Sequence, residues 1–276
     1  MTKKFISVPT KLLMLIVSTL LLLAIGFSAL SLSRLQDDYK QFQQNNLDQG
    51  QAQFALHSDI LRSKLNVWIE SFAEITQLSQ QNDFTVFAEQ LANQFDGLQL
   101  NLNVEDVWLV DANKKALFIT SIMPDPAQEN VDQVLRLQRP NHQIQCQQQC
   151  QLLLSLPLMN NQGEIVVVTM SASLVDMLYA INTSLNSDVA VISLPLKSND
   201  SNNNIKIISA SNMELVQSLI EKNKQTNLDL VLEQGLQIDL INHSYLVNLL
   251  PLAQSNKRAF YLSLIDDVTP FEEKNS

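Results

Sequence analysis

The only two cysteines in this chain, Cys146 and Cys150, frame the string CQQQC. A pair at this spacing has three chemistries open to it: a disulfide closing a short ring, a thiolate metal site, or a pair that switches between oxidised and reduced forms. Pro140 and the glutamines on either side favour a loop over a helix, and a spacing of four suits a tight loop. The chain carries an export signal, described below, and an oxidising compartment makes the disulfide the leading reading. A ring this short contributes less than the roughly 3 kcal/mol of a 15-residue loop, so it would lock local shape. The metal reading draws in His142, four residues before Cys146. Three soft ligands at equal spacing begin a tetrahedral zinc site, but a fourth does not lie nearby in sequence.

The other residues with chemical potential are scattered. Trp108, with Asp106 and Asp111, falls on an expected β-hairpin and is the candidate lining of a ligand pocket. An aromatic at alternating β spacing also packs in a core, with the aspartates left to solvent and the turn. His57 and His243 stand alone, and solvent exposure is the default for both. No Gly-x-Ser-x-Gly, His-Glu-x-x-His, phosphate-loop or dinucleotide string occurs. With five glycines in 276 residues there is little material for a phosphate-cradling loop. The expectation is a protein without catalytic residues, cofactor or metal.

Residues 12–32 (LLMLIVSTLLLLAIGFSALSL) carry no charge. As a helix they would reach about 31 Å, the thickness of a bilayer core. Lys3, Lys4 and Lys11 precede them, whereas Arg34 is soon offset by Asp37 and Asp38. The positive-inside bias therefore puts the N-terminus in the cytoplasm and the bulk of the chain outside it. A cleaved signal peptide is the alternative, with Ala24-Ile25-Gly26 or Ala29-Leu30-Ser31 as small-residue sites, but its apolar region is usually shorter. All 28 acidic residues follow Ser33, against fifteen of the 18 basic ones, a formal −13. Such a surface repels phosphates and argues against nucleic acid as a partner.

From Leu35 to about Leu78 there is no proline, which indicates one long helix or two in tandem. The polar first half (QFQQNNLDQGQAQ) reads as a solvated stalk, and Gly50 weakens helical continuity. The second half places Phe54, Leu61, Leu65, Trp68, Phe72 and Ile75 on an apolar seam. Beyond Asn82 come short β runs with two or three helical inserts: strands at 104–110 and 116–121 joined by Asp111-Ala112-Asn113-Lys114, then 152–159 and 165–171 joined by Asn160-Asn161-Gln162-Gly163. The β-branched run 165–168 suits a buried central strand. A helix over 174–185, with Ser173 as its cap, precedes strands at 189–194, 205–209, 245–250 and 259–265 and a helix at 213–220. Lys197–Asn204 is a polar loop and the obvious insertion site. The same order of parts occurs twice, which favours two small α+β lobes over a single sheet.

This arrangement resembles the double Cache domain, a two-lobed periplasmic sensor of bacterial transmembrane receptors. The resemblance runs over residues 35–269 and rests on the long helix, the hairpin VWLVDANKKALFITS, the block from Cys146 to Pro195, and the closing YLVNLLPLA and FYLSLIDDVT. The middle block is most similar to the subtype found on cyclic-di-GMP cyclases and phosphodiesterases, where a close cysteine pair precedes a strand ending in Pro-Leu. The Arg-x-Trp-Tyr signature of the amino-acid-binding subtype is absent; Trp68 stands in NVWIESF without it. Family members continue into a second membrane helix and an output module, whereas this sequence closes on Glu272-Glu273-Lys274-Asn275-Ser276.

The resemblance implies an α+β chain with these parts: a cytoplasmic N-terminus (1–11), a transmembrane helix (12–33), a stalk helix (34–80), a membrane-distal PAS-like lobe (81–185), a membrane-proximal lobe (186–270) and a tail (271–276). The expected function is extracytoplasmic ligand sensing in the inner membrane of a bacterium, as the sensory half of a cyclic-di-GMP signalling protein lacking its output module. Its expected partners are a small-molecule ligand, the membrane, a second copy through the stalk helix and a cytoplasmic output partner. The alternative function is a membrane-anchored structural or assembly factor of the cell envelope.

Overall fold

The computed structural model describes residues 8–196, 205–222, 235–255 and 258–269. The polar loop expected at 197–204, the tail at 271–276 and the first seven residues of the cytoplasmic segment lie outside them. The chain divides into two units, residues 1–48 and 49–276.

Helix α1 runs from Val8 to Ile75. In the first unit its apolar side chains are bare: Met14, Leu20, Phe27 and Leu30 are each more than half exposed. Among the described residues, no helix is long and apolar enough to cross a membrane.

In the second unit the residues of α1 are built around its contact with the sheets. Gly50 is buried, and a Cβ there would stand 2.1 Å from Leu264 Cδ1. Glycine therefore serves close approach of helix to sheet, and of the two arrangements open in the sequence, one long helix or two in tandem, the chain adopts one. Leu65 and Ile69 are fully buried, with Phe54, Leu61, Trp68 and Phe72 packed alongside. Ile75, placed on the seam by periodicity, is 79% exposed because the helix ends there.

A single 3₁₀ turn at Leu78–Gln80 leads to α2 (Thr85–Leu102), which buries Phe87, Ala88, Leu91 and Leu98. Then follow β1 (Val104–Asp111), β2 (Ala116–Ile119), α3 (Asp125–Leu137), β3 (Asn141–Cys146), β4 (Cys150–Met159), β5 (Ile165–Ser173) and α4 (Val175–Leu185). The second set is β6 (Asp188–Pro195), β7 (Lys206–Ala210), α5 (Met213–Lys222), β8 (Leu236–Leu240), β9 (His243–Gln254) and β10 (Arg258–Asp267).

The two sheets have the orders β2-β1-β5-β4-β3 and β7-β6-β10-β9-β8, so each lobe repeats one antiparallel topology with a helix between its second and third strands. β5 is central, as its β-branched run requires. Pro157 is tolerated in β4 because β3 ends opposite Ser155, leaving β4 without a neighbour on that side. The hairpin turns are closed by their own side chains. Asp111 Oδ1 accepts from the backbone N–H of Asn113 and Lys115, both at 2.8 Å, and Asn160 Oδ1 accepts from Gln162 and Glu164 before Gly163 turns at φ 77°. Ser173 Oγ accepts from Val175 N at 3.4 Å, although Leu174 occupies the cap position of α4.

One face of each sheet joins a common core with α1, α2 and α4, which includes Leu154, Val168 and Met170 from the first sheet and Val191, Leu262 and Leu264 from the second. The opposite face is covered by α3 in the first lobe and by α5 in the second.

Candidate functional site

Directly opposed residues in antiparallel strands share a face, so the pairing register shows what lies beneath α3. One row crosses the whole sheet: Asn141, Ser155, Thr169, Trp108 and Ile119. The next runs Gln143, Leu153, Ser171 and Asp106. Ser155, Thr169 and Ser171 are fully buried, and the hydroxyls of Ser155 and Thr169 lie 2.8 Å apart.

From above, α3 contributes a buried stripe of Ala127, Asn130, Val131 and Val134 at helical spacing. Asn130 occupies a position where an apolar side chain would suffice for packing. Its Oδ1 accepts from Asn141 Nδ2 at 2.8 Å. Its own Nδ2 has no hydrogen-bond partner among the described residues, although the residue is fully buried. An orphaned buried amide costs about 1–3 kcal/mol, so it marks a place where the fold gives up stability.

The equivalent layer beneath α5 is filled differently. Ala190, Ile192, Leu194, Val216, Leu219, Leu249 and Ile265 form an apolar cluster there, with Ser263 as a buried hydroxyl of the sheet. The same topology thus folds with one buried hydroxyl in this layer of the second lobe, and with Asn130, Ser155, Thr169 and Ser171 set among the apolar residues of the first. Polarity beneath α3 is not a requirement of the architecture.

The three residues expected to line a pocket are separated by the structure. Trp108 is 1% exposed and packs with Leu153, Ala127 and Met123, and its Nε1 donates to Ser121 O at 2.9 Å. It is a wall of the layer beneath α3. Asp106 lies at the end of that layer, where its Oδ1 accepts from the Thr120 hydroxyl at 3.0 Å and its backbone N–H donates to Ser171 Oγ at 3.1 Å. Asp111 is elsewhere, on the rim of a concavity of about 770 Å³ between the start of α2, the β1–β2 hairpin and the β4–β5 turn. Sequence reasoning missed Asn130, Ser155 and Thr169. The available signal was the polar residue in each otherwise apolar run, Asn130 in α3, Ser155 in LLLSLPL and Thr169 in VVVTM.

Cys146 and Cys150 are joined by a disulfide across the first pair of the β3–β4 hairpin, with Cα atoms 4.1 Å apart. The tight loop expected of the cysteine spacing is the turn at 147–149, and the stretch before it is a strand that pairs along β4. Gln149 and Gln151 donate side-chain amides to Glu105, which ties the hairpin to the start of β1. His142 lies four residues before Cys146 on the same face of β3 and meets Arg62 of α1, whose Nη1 stands 3.3 Å from His142 Nε2. Burial and then the Arg62 guanidinium hold this imidazole below its ordinary pKa, with Asp59 opposing. The equal spacing of His142, Cys146 and Cys150 therefore serves a disulfide and an arginine contact.

His57 is half-buried, contrary to expectation, and its Nε2 is shielded from solvent with no partner among the described residues. His243 is exposed and pairs with Asp267 at 2.8 Å. Although burial pushes the Asp267 carboxyl upward, hydrogen bonds from Thr269 and His243 bring its pKa below the usual value.

Two antiparallel sheets of one topology along a single helix, the first with a cluster of buried polar side chains beneath α3, define a two-lobed sensory domain. Residues 36–271 match the model of the double Cache family described as the double sensory domain of two-component sensor kinases, and the chain belongs to that family. No curated protein matches the chain. Among solved structures, it is similar to the ligand-binding domain of the Campylobacter jejuni chemoreceptor Tlp3 in complex with 4-methylisoleucine, at 15% identity and a TM-score of 0.49 over 85% of this chain and 94% of that one. It is also similar to the ligand-binding domain of the Pseudomonas aeruginosa amino acid chemoreceptor PctC in complex with GABA, at 18% identity and a TM-score of 0.41 over 81% of this chain and 100% of that one.

Proposed function

We propose that this sensory domain detects a small molecule in the layer between α3 and the first sheet, with Asn130, Ser155 and Thr169 as its polar contacts and Trp108 and Asp106 at its edges. The observation that carries this reading is the fully buried Asn130 amide with an unpartnered Nδ2. A ligand acceptor placed there would recover the missing hydrogen bond on binding, and α3 would shift to admit it. Such a ligand biases the protein towards the conformation that binds it.

The surrounding assignments are proposals of the same kind. Residues 12–33 form a membrane anchor with the N-terminus in the cytoplasm, supported by the uncharged sequence and the bare apolar side chains of α1. Residues 81–185 and 186–270 then lie outside the cytoplasm as membrane-distal and membrane-proximal lobes. A second copy docks along α1, supported by the exposed Leu56, Ile60 and Val67 at coiled-coil spacing. The output is a cyclic-di-GMP cyclase or phosphodiesterase module, supported by the resemblance of the block from Cys146 to Pro195.

A thermal-shift screen of the full chain in detergent against small metabolites tests the sensory site. A ligand at a hundred times its Kd stabilises by about 2.7 kcal/mol, a rise of several degrees. The rise is expected to vanish in Ser155→Ala and Asn130→Ala. A rise that survives both variants would remove the site from this layer, and no rise with any metabolite, alongside stable capture of an envelope protein, would favour an assembly factor.

A further inference from the structure

The concavity of about 770 Å³ at the tip of the first lobe belongs to the other side of the sheet from α3 and plays no part in the layer just described. Its volume is that of a small-molecule site, within the few hundred to a thousand Å³ that such sites occupy. Phe84, which caps α2, Ala88 of α2, and Leu117 and Phe118 of β2 supply its apolar lining. Its charged residues are Asp83, Glu89, Asp111 and Glu164, and neither lysine nor arginine lines it.

Three of these carboxylates are oriented by the fold. Asp83 Oδ1 accepts from Thr85 N at 2.9 Å, Asp111 Oδ1 from Asn113 N and Lys115 N, and Glu164 Oε2 from Asn160 Nδ2 at 2.9 Å. Among the described residues, the second oxygen of each has no hydrogen-bond partner. The nearby cation Lys114 is turned away into an ion pair with Asp132 at 2.6 Å. An aromatic and aliphatic lining beneath four carboxylates matches one chemistry: an ammonium group on a short apolar body. The ammonium donates to fixed carboxylate oxygens, while the alkyl part and the rings exclude water.

We propose that this concavity binds a small organic ammonium cation, at a site separate from the layer beneath α3. The probe is n-butylammonium, with n-butanol as the neutral and butyrate as the anionic control, titrated calorimetrically into the full chain in detergent. Binding is expected for the ammonium alone and should weaken as salt rises. The Glu89→Gln/Asp111→Asn double variant is expected to weaken it by about tenfold or more. Both replacements are isosteric, and Asn at 111 retains the oxygen that closes the turn, so the fold should persist; unchanged thermal unfolding of the double variant checks this. Ser155→Ala should leave butylammonium binding intact. Equal binding of butanol, binding unmoved in the double variant, or no heat at millimolar butylammonium would overturn the proposal. Binding lost in Ser155→Ala and kept in the double variant would transfer the cation to the α3 layer, refuting this site while supporting the sensory one.

Discussion

Gly50 offers the sharpest quantitative test of how α1 is seated. Replacing glycine with alanine inside a helix ordinarily gains about 1 kcal/mol. Here the new Cβ would stand 2.1 Å from Leu264 Cδ1, 3.3 Å from its Cγ and 3.4 Å from Leu250 Cδ1. Leu264 is 1% exposed, so its side chain has no solvent to turn into, and overpacking of this kind costs about 1–3 kcal/mol. The net for Gly50→Ala is a loss of up to about 2 kcal/mol. Leu264→Ala alone should cost about 2–5 kcal/mol through its cavity. In that background the obstruction is gone, and Gly50→Ala should become stabilising by up to about 1 kcal/mol. Urea unfolding of the four proteins in detergent gives the cycle, and the coupling should be about 1–3 kcal/mol. A Gly50→Ala gain of about 1 kcal/mol in both backgrounds would show that helix and sheet are not in close contact.

Three further outcomes follow from the geometry. Because His142 has a folded pKa below 6.5, the unfolded state takes up its proton first on acidification. Stability should therefore fall as pH drops through about 6.5 and level off below the folded pKa, and His142→Gln should flatten that slope in unfolding midpoints between about pH 8 and pH 5.5. Replacing Cys146 and Cys150 together by serine should cost about 2 kcal/mol, the entropy of so short a ring, and alkylation without reductant should label neither cysteine of the native protein. Trp108→Phe should lose about 1 kcal/mol with the bond to Ser121, whereas Trp108→Ala should lose about 3–5 kcal/mol, both read from denaturant midpoints.

Much of the fold was legible in local patterns. The hairpin around Asp111, the central strand at 165–168 and the helix after Ser173 announce themselves through turn residues, β-branching and periodicity, which depend only on neighbours in sequence. β3 was not legible, because NHQIQC is polar and becomes a strand only by pairing with β4. The use of Gly50 was not legible for a related reason: propensity counts its cost in an isolated helix, whereas Leu264, more than two hundred residues away, determines its use. The candidate lining residues are set apart by the pleat. Trp108 and Asp111 are three residues apart, and alternation along β1 sends them to different surroundings, one beneath α3 and the other to the hairpin tip.

The two lobes differ in what they bury beneath their crossing helices. A chain that needed only two stable modules has a working solution in the second, where Ile192, Val216 and Leu219 fill the space beneath α5. The first lobe departs from it with Asn130, Ser155 and Thr169 in equivalent territory. Hydroxyls satisfied by each other bring little net stability, and the orphaned Nδ2 brings a loss. The departure is therefore explained by something other than folding. The opposite face of the same sheet belongs to the core shared with the second lobe, in which Leu65 and Ile69 of α1 are embedded. A rearrangement beneath α3 acts on strands whose other face touches that core, and close-packed cores respond to such a change by shifting as a whole. Under the proposed function, binding beneath α3 would reach α1 through this shared core without the ligand touching the helix.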